Sequence, residues 1–177
     1  FLKESLNCVL NQSYKNWELI FWDNQSTDRS LNIASSYKDK RIRIFKSLKH
    51  TNLGKARKSA LSYVQGDYLA FLDVDDIWTR EKLITQLKEF DDKDIGVSCT
   101  NSLYFSAKHK KNLYKSNVRL ALDTNSLITN YPLSLNTIML DKKILDKLIY
   151  DFDDNFSHIS DFDLIVRLSA VSKVKYL

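Results

Sequence analysis

Leu2, Leu6, Val9 and Leu10 recur at helical spacing, and the polar stretch Asn11 to Asn16 then breaks the pattern, so the chain opens in a predicted helix. Trp17 to Trp22 (WELIFW) is a short apolar run rich in β-formers, the pattern of a strand buried on both faces of a parallel sheet. A polar loop, Asp23 to Arg29, follows it. Leu31, Ile33, Ala34 and Tyr37 predict a second helix, and Arg41 to Lys46 (RIRIFK) alternates as a strand does. A third helix is predicted from about Gly54 to Val64, with Gly66 able to end it in the left-handed conformation. The strand Asp67 to Leu72 (DYLAFL) runs into the acidic stretch Asp73 to Asp76. Thr79 is a candidate N-cap for a helix carrying Leu83, Ile84, Leu87 and Phe90 on one face.

The second half is less regular. Ile95 to Cys99 and Leu103 to Phe105 are apolar segments, Leu135 to Leu140 reads as a strand, Lys142 to Leu148 as a short helix, and Phe162 to Ala170 as a helix. Strands alternating with helices mean βαβ units, hence an α/β fold with a mostly parallel central sheet flanked by helices.

Composition narrows this further. With 44% hydrophobic and 28% charged residues over 177 positions, a single soluble globular domain is expected rather than a disordered chain. Cys8 and Cys99 stand alone without metal-ligand or redox spacing, which argues against a zinc site and favours a reducing compartment. His50, His109 and His158 show no ligand spacing either and read as surface or loop residues. No apolar run approaches the roughly 20 residues that span a bilayer. The net charge of +5 is diffuse apart from Lys108, His109, Lys110, Lys111 and the nearby Lys115, which read as a solvated loop.

Chemistry is expected at the carboxyl ends of the strands, where loops and helix N-termini converge. Two acidic loops fall there, Asp23 to Asp28 after WELIFW and Asp73 to Asp76 after DYLAFL. Carboxylates at i and i+2 on an extended tip can hold a hard divalent cation whose other ligands are waters and phosphate oxygens. A dedicated protein cage would need more ligands, so the pattern suits a metal-bound nucleotide diphosphate. The competing reading is that these acids offset the dipole of the helix near Thr79.

WELIFWDNQSTDRS, NLGKARKSAL, GDYLAFLDVDDIW and SDFDLIVRLS, in that order, resemble the family 2 glycosyltransferases of the GT-A fold over nearly the whole chain. The resemblance implies transfer of a sugar from a nucleotide donor to an acceptor hydroxyl with inversion, in surface polysaccharide or glycolipid synthesis. It makes Asp73 and Asp75 the DxD element, with Asp75 on a Mn²⁺ or Mg²⁺ ion and Asp73 on the metal or the donor's ribose. It places Asp23 and Asn24 against the nucleotide base, with UDP the expected nucleotide; Asn24 stands where relatives carry an acid. Arg57 matches an arginine expected near the base or phosphates. Asp161 matches the proposed catalytic base, with Asp163 and Asp154 as weaker alternatives; Ser160 stands where many relatives have Glu. Trp78 either lines the pocket or anchors the acidic loop.

By the same resemblance, residues from about 1 to 105 form the nucleotide-sugar part and about 106 to 177 the acceptor side, with acceptor contacts near Tyr131 to Thr137. The family's first strand and a later metal-completing histidine have no counterpart in these residues, so the chain is expected to be a truncated catalytic domain. Expected partners are a nucleotide-sugar donor and a carbohydrate or lipid-linked acceptor, not nucleic acid. The expected location is cytoplasmic, with peripheral association at the inner face of the cell membrane. Two other readings stay open: a nucleotidyltransferase of related fold, and a non-catalytic basic binding module using Lys108 to Lys115 with Tyr104, Phe105 and Tyr114.

Overall fold

The computed structural model describes residues 1–105, 110–112, 122–156 and 158–177. Six α-helices are described: α1 (Leu2–Leu10), α2 (Ser30–Ser36), α3 (Leu53–Leu61), α4 (Lys82–Leu87), α5 (Thr124–Thr129) and α6 (Ser160–Ser169). The strands among these residues are β1 (Leu19–Asp23), β2 (Ile42–Lys46), β3 (Tyr68–Ala70), β4 (Ile95–Cys99), β5 (Leu103–Phe105), β6 (Lys110–Asn112), β7 (Ile138–Asp141) and β8 (Lys173–Tyr176).

β1 and β2 pair in parallel, from Leu19 opposite Ile42 to Asp23 opposite Lys46. A second sheet has the order β3-β7-β4-β8. In it β7 runs antiparallel to both β3 and β4, while β4 and β8 are parallel. The α/β class therefore holds, but the pairing is mixed rather than mostly parallel. Periodicity gives a strand's faces and not its direction, and the long path from β4 to β7 lets the chain return antiparallel. β5 and β6 form a separate antiparallel hairpin.

The core lies where α6 packs on β4 and β7. Leu164, Ile165 and Leu168 of α6, Val97 and Cys99 of β4, Ile138 and Leu140 of β7, and Phe152 are all fully buried. Each such side chain contributes about 1.5–3 kcal/mol relative to exposure. This packing fixes the helix whose N-terminal turn carries Asp161.

Several local expectations give way to tertiary structure. β1 is only half-buried from Leu19 to Trp22, because among the described residues it pairs with β2 alone. Gly66 is not left-handed; α3 ends at Leu61, and the Gly66 N–H donates instead to Glu18 Oε1 at 3.0 Å. Thr79 does not cap α4, which starts at Lys82 without a side-chain cap. Asp73 to Asp76 lie too far upstream to cap that helix either. The segment Leu135 to Leu140 splits into a 3₁₀ turn, Leu135–Thr137, followed by β7. The predicted helix at Lys142 is a 3₁₀ helix over Lys142–Lys147.

Candidate active site

Helix α3 is the spine of the site. Asn52 caps it, its side chain accepting from Lys55 N–H at 2.9 Å, while its Nδ2 donates to the Asp154 carbonyl at 2.6 Å. Two residues on, a Cβ at Gly54 would sit 2.5 Å from the Asp153 carbonyl oxygen and 2.6 Å from that of Phe156. Only glycine allows this approach, which draws the first turn of α3 against the segment leading into α6.

One turn later Arg57 reaches toward the loop after β3 and the first turn of α6. Its Nη1 donates to Ser160 Oγ at 3.0 Å, its Nη2 lies 4.0 Å from Asp73 Oδ1, and its guanidinium sits 5.8 Å from the Phe152 ring centroid. The side chain is 14% exposed. Burial lowers its pKa, opposed by the negative charges of Asp73 and Asp161. Asp73 is shifted upward, first by desolvation, with Arg57 opposing and the like charges of Asp75 and Asp161 adding to the rise. Arg57, Asp73 and Asp161 thus share one electrostatic site, reached from α3, from the loop after β3 and from the first turn of α6.

The backbone and rear of the acidic loop are clamped from outside. Ser5 Oγ of α1 lies 2.8 Å from the Val74 carbonyl oxygen and 2.7 Å from that of Asp76. Asp76 N–H donates to the Asp73 carbonyl at 3.1 Å, closing the turn. The Asp76 carboxylate accepts from Asn136 Nδ2 at 2.6 Å, and Trp78 Nε1 donates to the Asn136 carbonyl at 2.9 Å. Trp78 therefore anchors the loop, and beneath its ring the buried Lys82 ammonium sits 4.8 Å from the centroid. The side chains of Asp73 and Asp75 are exposed.

Among the candidate bases, geometry separates three acids. Asp163 is bound to Arg167 at 2.5 Å, and Asp154 pairs with Lys58 at 3.2 Å. Asp161 is left facing Arg57 and Tyr131. It is not the cap of α6, whose N-cap is Ile159 without a side-chain bond. Tyr131 packs edge-on against Phe162 at 5.2 Å between ring centroids. Its hydroxyl is buried without a hydrogen-bond partner among the described residues, and burial together with the Asp161 charge pushes its pKa well up.

The first-strand loop is built differently. Asp23 is 1% exposed; its Oδ1 accepts from Ser26 N–H at 3.1 Å, and its Oδ2 is buried without a partner among the described residues. Asn24 Nδ2 donates to the Thr51 carbonyl at 2.8 Å, and its Oδ1 accepts from Thr51 N–H at 3.2 Å and Thr51 Oγ1 at 3.1 Å. Most of the Asn24 amide is thus spent holding the segment that caps α3. The Asn24 bonds to Thr51 tie the first-strand loop to the segment that caps α3, the helix carrying Arg57.

Sequence reasoning missed Asn52, Asn136 and the role of Ser160. A polar residue directly before the third helix was an available cap signal for Asn52. Nothing local marks Asn136, whose partners Asp76 and Trp78 lie some sixty residues away. The exposed His50 and His158 take no part, Cys8 and Cys99 are free thiols, and His109, Lys108, Tyr114 and Lys115 lie outside the described residues.

Among the described residues no group of three or more His, Cys, Asp or Glu side chains could enclose a metal ion. Two outward carboxylates two residues apart do fit a magnesium-like ion that keeps waters and takes its remaining ligands from phosphate oxygens. Asp75, with Asp73, are the residues that would hold it.

WfgD of Escherichia coli, a UDP-Glc:α-D-GlcNAc-diphosphoundecaprenol β-1,3-glucosyltransferase, is 29% identical over 151 residues, covering 85% of this chain and 59% of its own length. The chain thus spans little more than half of that relative. S. aureus TarS superposes with a TM-score of 0.82 at 20% identity over 100% of this chain and 54% of its own. TarS has also been solved with UDP and with UDP-GlcNAc. The Pyrobaculum calidifontis mannosyltransferase PcManGT, in complex with GDP-Man and Mn²⁺, gives 0.73 at 15% identity, covering 99% of this chain and 50% of its own. These structures share the GT-A fold expected from the sequence. The family model for glycosyl transferase family 2 matches residues 1–152, and the chain belongs to that family.

Proposed function

We propose that this chain carries the metal-assisted, inverting transfer of a sugar from a UDP-linked donor to a hydroxyl of a lipid-linked or polysaccharide acceptor. The observation that carries the reading is the meeting of Arg57, Asp73 and Asp161 at one electrostatic site while Asp163 is held by Arg167 and Asp154 pairs with Lys58. The UDP-Glc donor and diphosphoundecaprenol acceptor in WfgD's name, and the UDP complexes of TarS, support the choice of nucleotide and of acceptor class.

In this reading Asp161 takes the proton of the acceptor hydroxyl as that oxygen bonds to the anomeric carbon. The bond from the anomeric carbon to the diphosphate oxygen breaks with its electron pair leaving on UDP, and a single displacement inverts the centre. Arg57 places a fixed positive charge beside the departing group. A divalent ion bound through Asp75 and Asp73 would supply further positive charge to the diphosphate. The orphan Asp23 Oδ2 offers an acceptor for a base N–H, and Asn24 holds that loop with one amide hydrogen to spare. Donor contacts then come from residues 1–105, and the base Asp161 from the acceptor side, 106–177.

Thermal shift with UDP-, GDP- and ADP-sugars, with and without Mn²⁺, tests the reading, because a ligand of the native state raises the melting temperature. Stabilisation by UDP-sugars that requires the ion and disappears in Asp75→Ala is expected. Equal stabilisation without any divalent ion would remove the metal from the scheme.

A further inference from the structure

The β5–β6 hairpin leaves the sheet just beyond Cys99, at the edge that carries the acidic loop. Cys99 is in register with Ile138, two residues after Asn136, the residue bonded to Asp76. Successive side chains on a strand point to opposite faces, so Leu103 and Phe105 share one face of β5 and Tyr104 takes the other. All three are open to solvent, at 47%, 56% and 64% exposure. Among the described residues, neither face of the strand is therefore covered. A two-stranded hairpin is marginal in water by itself, and three large apolar side chains on a short exposed strand call for a partner.

The partnering strand decides the chemistry. Lys111 is in register with Tyr104 and Lys110 with Phe105, so the hairpin carries aromatic, aliphatic and cationic groups together. That combination suits the interface of an anionic bilayer, where aromatic rings sit at headgroup depth and lysines meet phosphate. A second copy of this chain would set lysine against lysine in a molecule of net charge +5. We propose that the β5–β6 hairpin docks on an anionic lipid surface through Leu103, Tyr104, Phe105 and Lys111, turning the carboxyl edge of the sheet toward the membrane. This deepens the proposed function and rests on it in one respect: a lipid-linked acceptor presents its hydroxyl at such a surface.

Co-sedimentation of the full chain with phosphatidylcholine vesicles, with or without phosphatidylglycerol, tests the proposal. Binding is expected only with phosphatidylglycerol, weakening as salt screens the charges. Lys111→Gln should weaken it about fivefold, the effect of one lysine at such a surface. Tyr104→Ser combined with Phe105→Ser should weaken it further, with the melting temperature unchanged because these side chains are exposed. Transfer to a water-soluble acceptor without vesicles should be the same in wild type and variants, which separates this proposal from the transfer reading. Vesicle binding that persists in a chain unable to bind any nucleotide sugar would sustain the docking and sink the transfer. Wild type that ignores both vesicle types, or variants that sediment as wild type does, overturns the docking. So does a hairpin-dependent dimer without lipid, or hairpin-dependent binding of an RNA oligonucleotide in place of vesicles.

Discussion

The two acidic loops look alike in sequence, each following an apolar strand, and the fold uses them in opposite ways. The loop after β1 turns inward. Asp23 is buried, Asn24 is tied to Thr51, Gln25 donates to the Ser47 carbonyl from a left-handed backbone with φ of 68°, and the loop serves as frame for the cap of α3. The loop after β3 turns outward. Its backbone is clamped by Ser5 and its rear by Asn136 and Trp78, and the side chains of Asp73 and Asp75 are exposed. A carboxylate's use depends on what satisfies the groups around it, not on its place after a strand.

Substitutions can break that contrast. The largest effect is expected at Asp161, across the cleft from the outward loop: Asp161→Asn should reduce transfer by about 10²- to 10⁴-fold while donor binding by thermal shift persists. Asp163→Asn, which loses only the Arg167 pair, should leave the transfer rate near wild type, and equal losses in the two variants would return Asp163 to candidacy. In the outward loop, Asp75→Ala should abolish the divalent-dependent part of donor binding with the apo melting temperature unchanged. In the inward loop the order reverses. Asp23→Ala strips the bond to Ser26 from a buried site and should lower stability by about 1–3 kcal/mol in urea unfolding. An Asp23→Ala protein as stable as wild type would show that the inward loop is not a frame.

A last effect is a pH slope in stability under Trp78, read apart from transfer. Burial lowers Lys82 from 10.5 to about 7, and Gln86 Oε1 accepts from its ammonium. Between pH 7 and 10.5 the unfolded chain holds a proton that the folded chain does not, so stability rises with pH across this window. Lys82→Met should flatten that rise in pH-dependent melts while leaving nucleotide binding intact.

The chain's order of strands and helices was legible because apolar spacing reports which face of an element is buried. Leu164, Ile165 and Leu168 mark the inner face of α6, and they are fully buried. Asp73 and Asp75 stood out by type and place after a strand, whereas Asp161 was singled out only through the family resemblance. The direction of β7 was not, since a strand reads the same both ways. Nor was the hairpin partner β6, whose Lys-Lys-Asn carries no strand pattern, or α5 and β8, which are short and mostly polar.

Gly54 shows the division most sharply. The sequence by itself supplies a glycine near the start of a helix, Arg57 one turn on, the pair Asp73 and Asp75, and Asp161 at the head of another helix; these set the family and the kinds of group available. Only the tertiary structure brings the Asp153 and Phe156 carbonyls against Gly54, which puts Ser160 within 3.0 Å of Arg57 and Asp161 into the same field as Asp73. That outcome depends on packing between segments a hundred residues apart, and local spacing holds no record of it. The same packing pairs Asp154 with Lys58 and Asp163 with Arg167, and sets Asp161 facing Arg57.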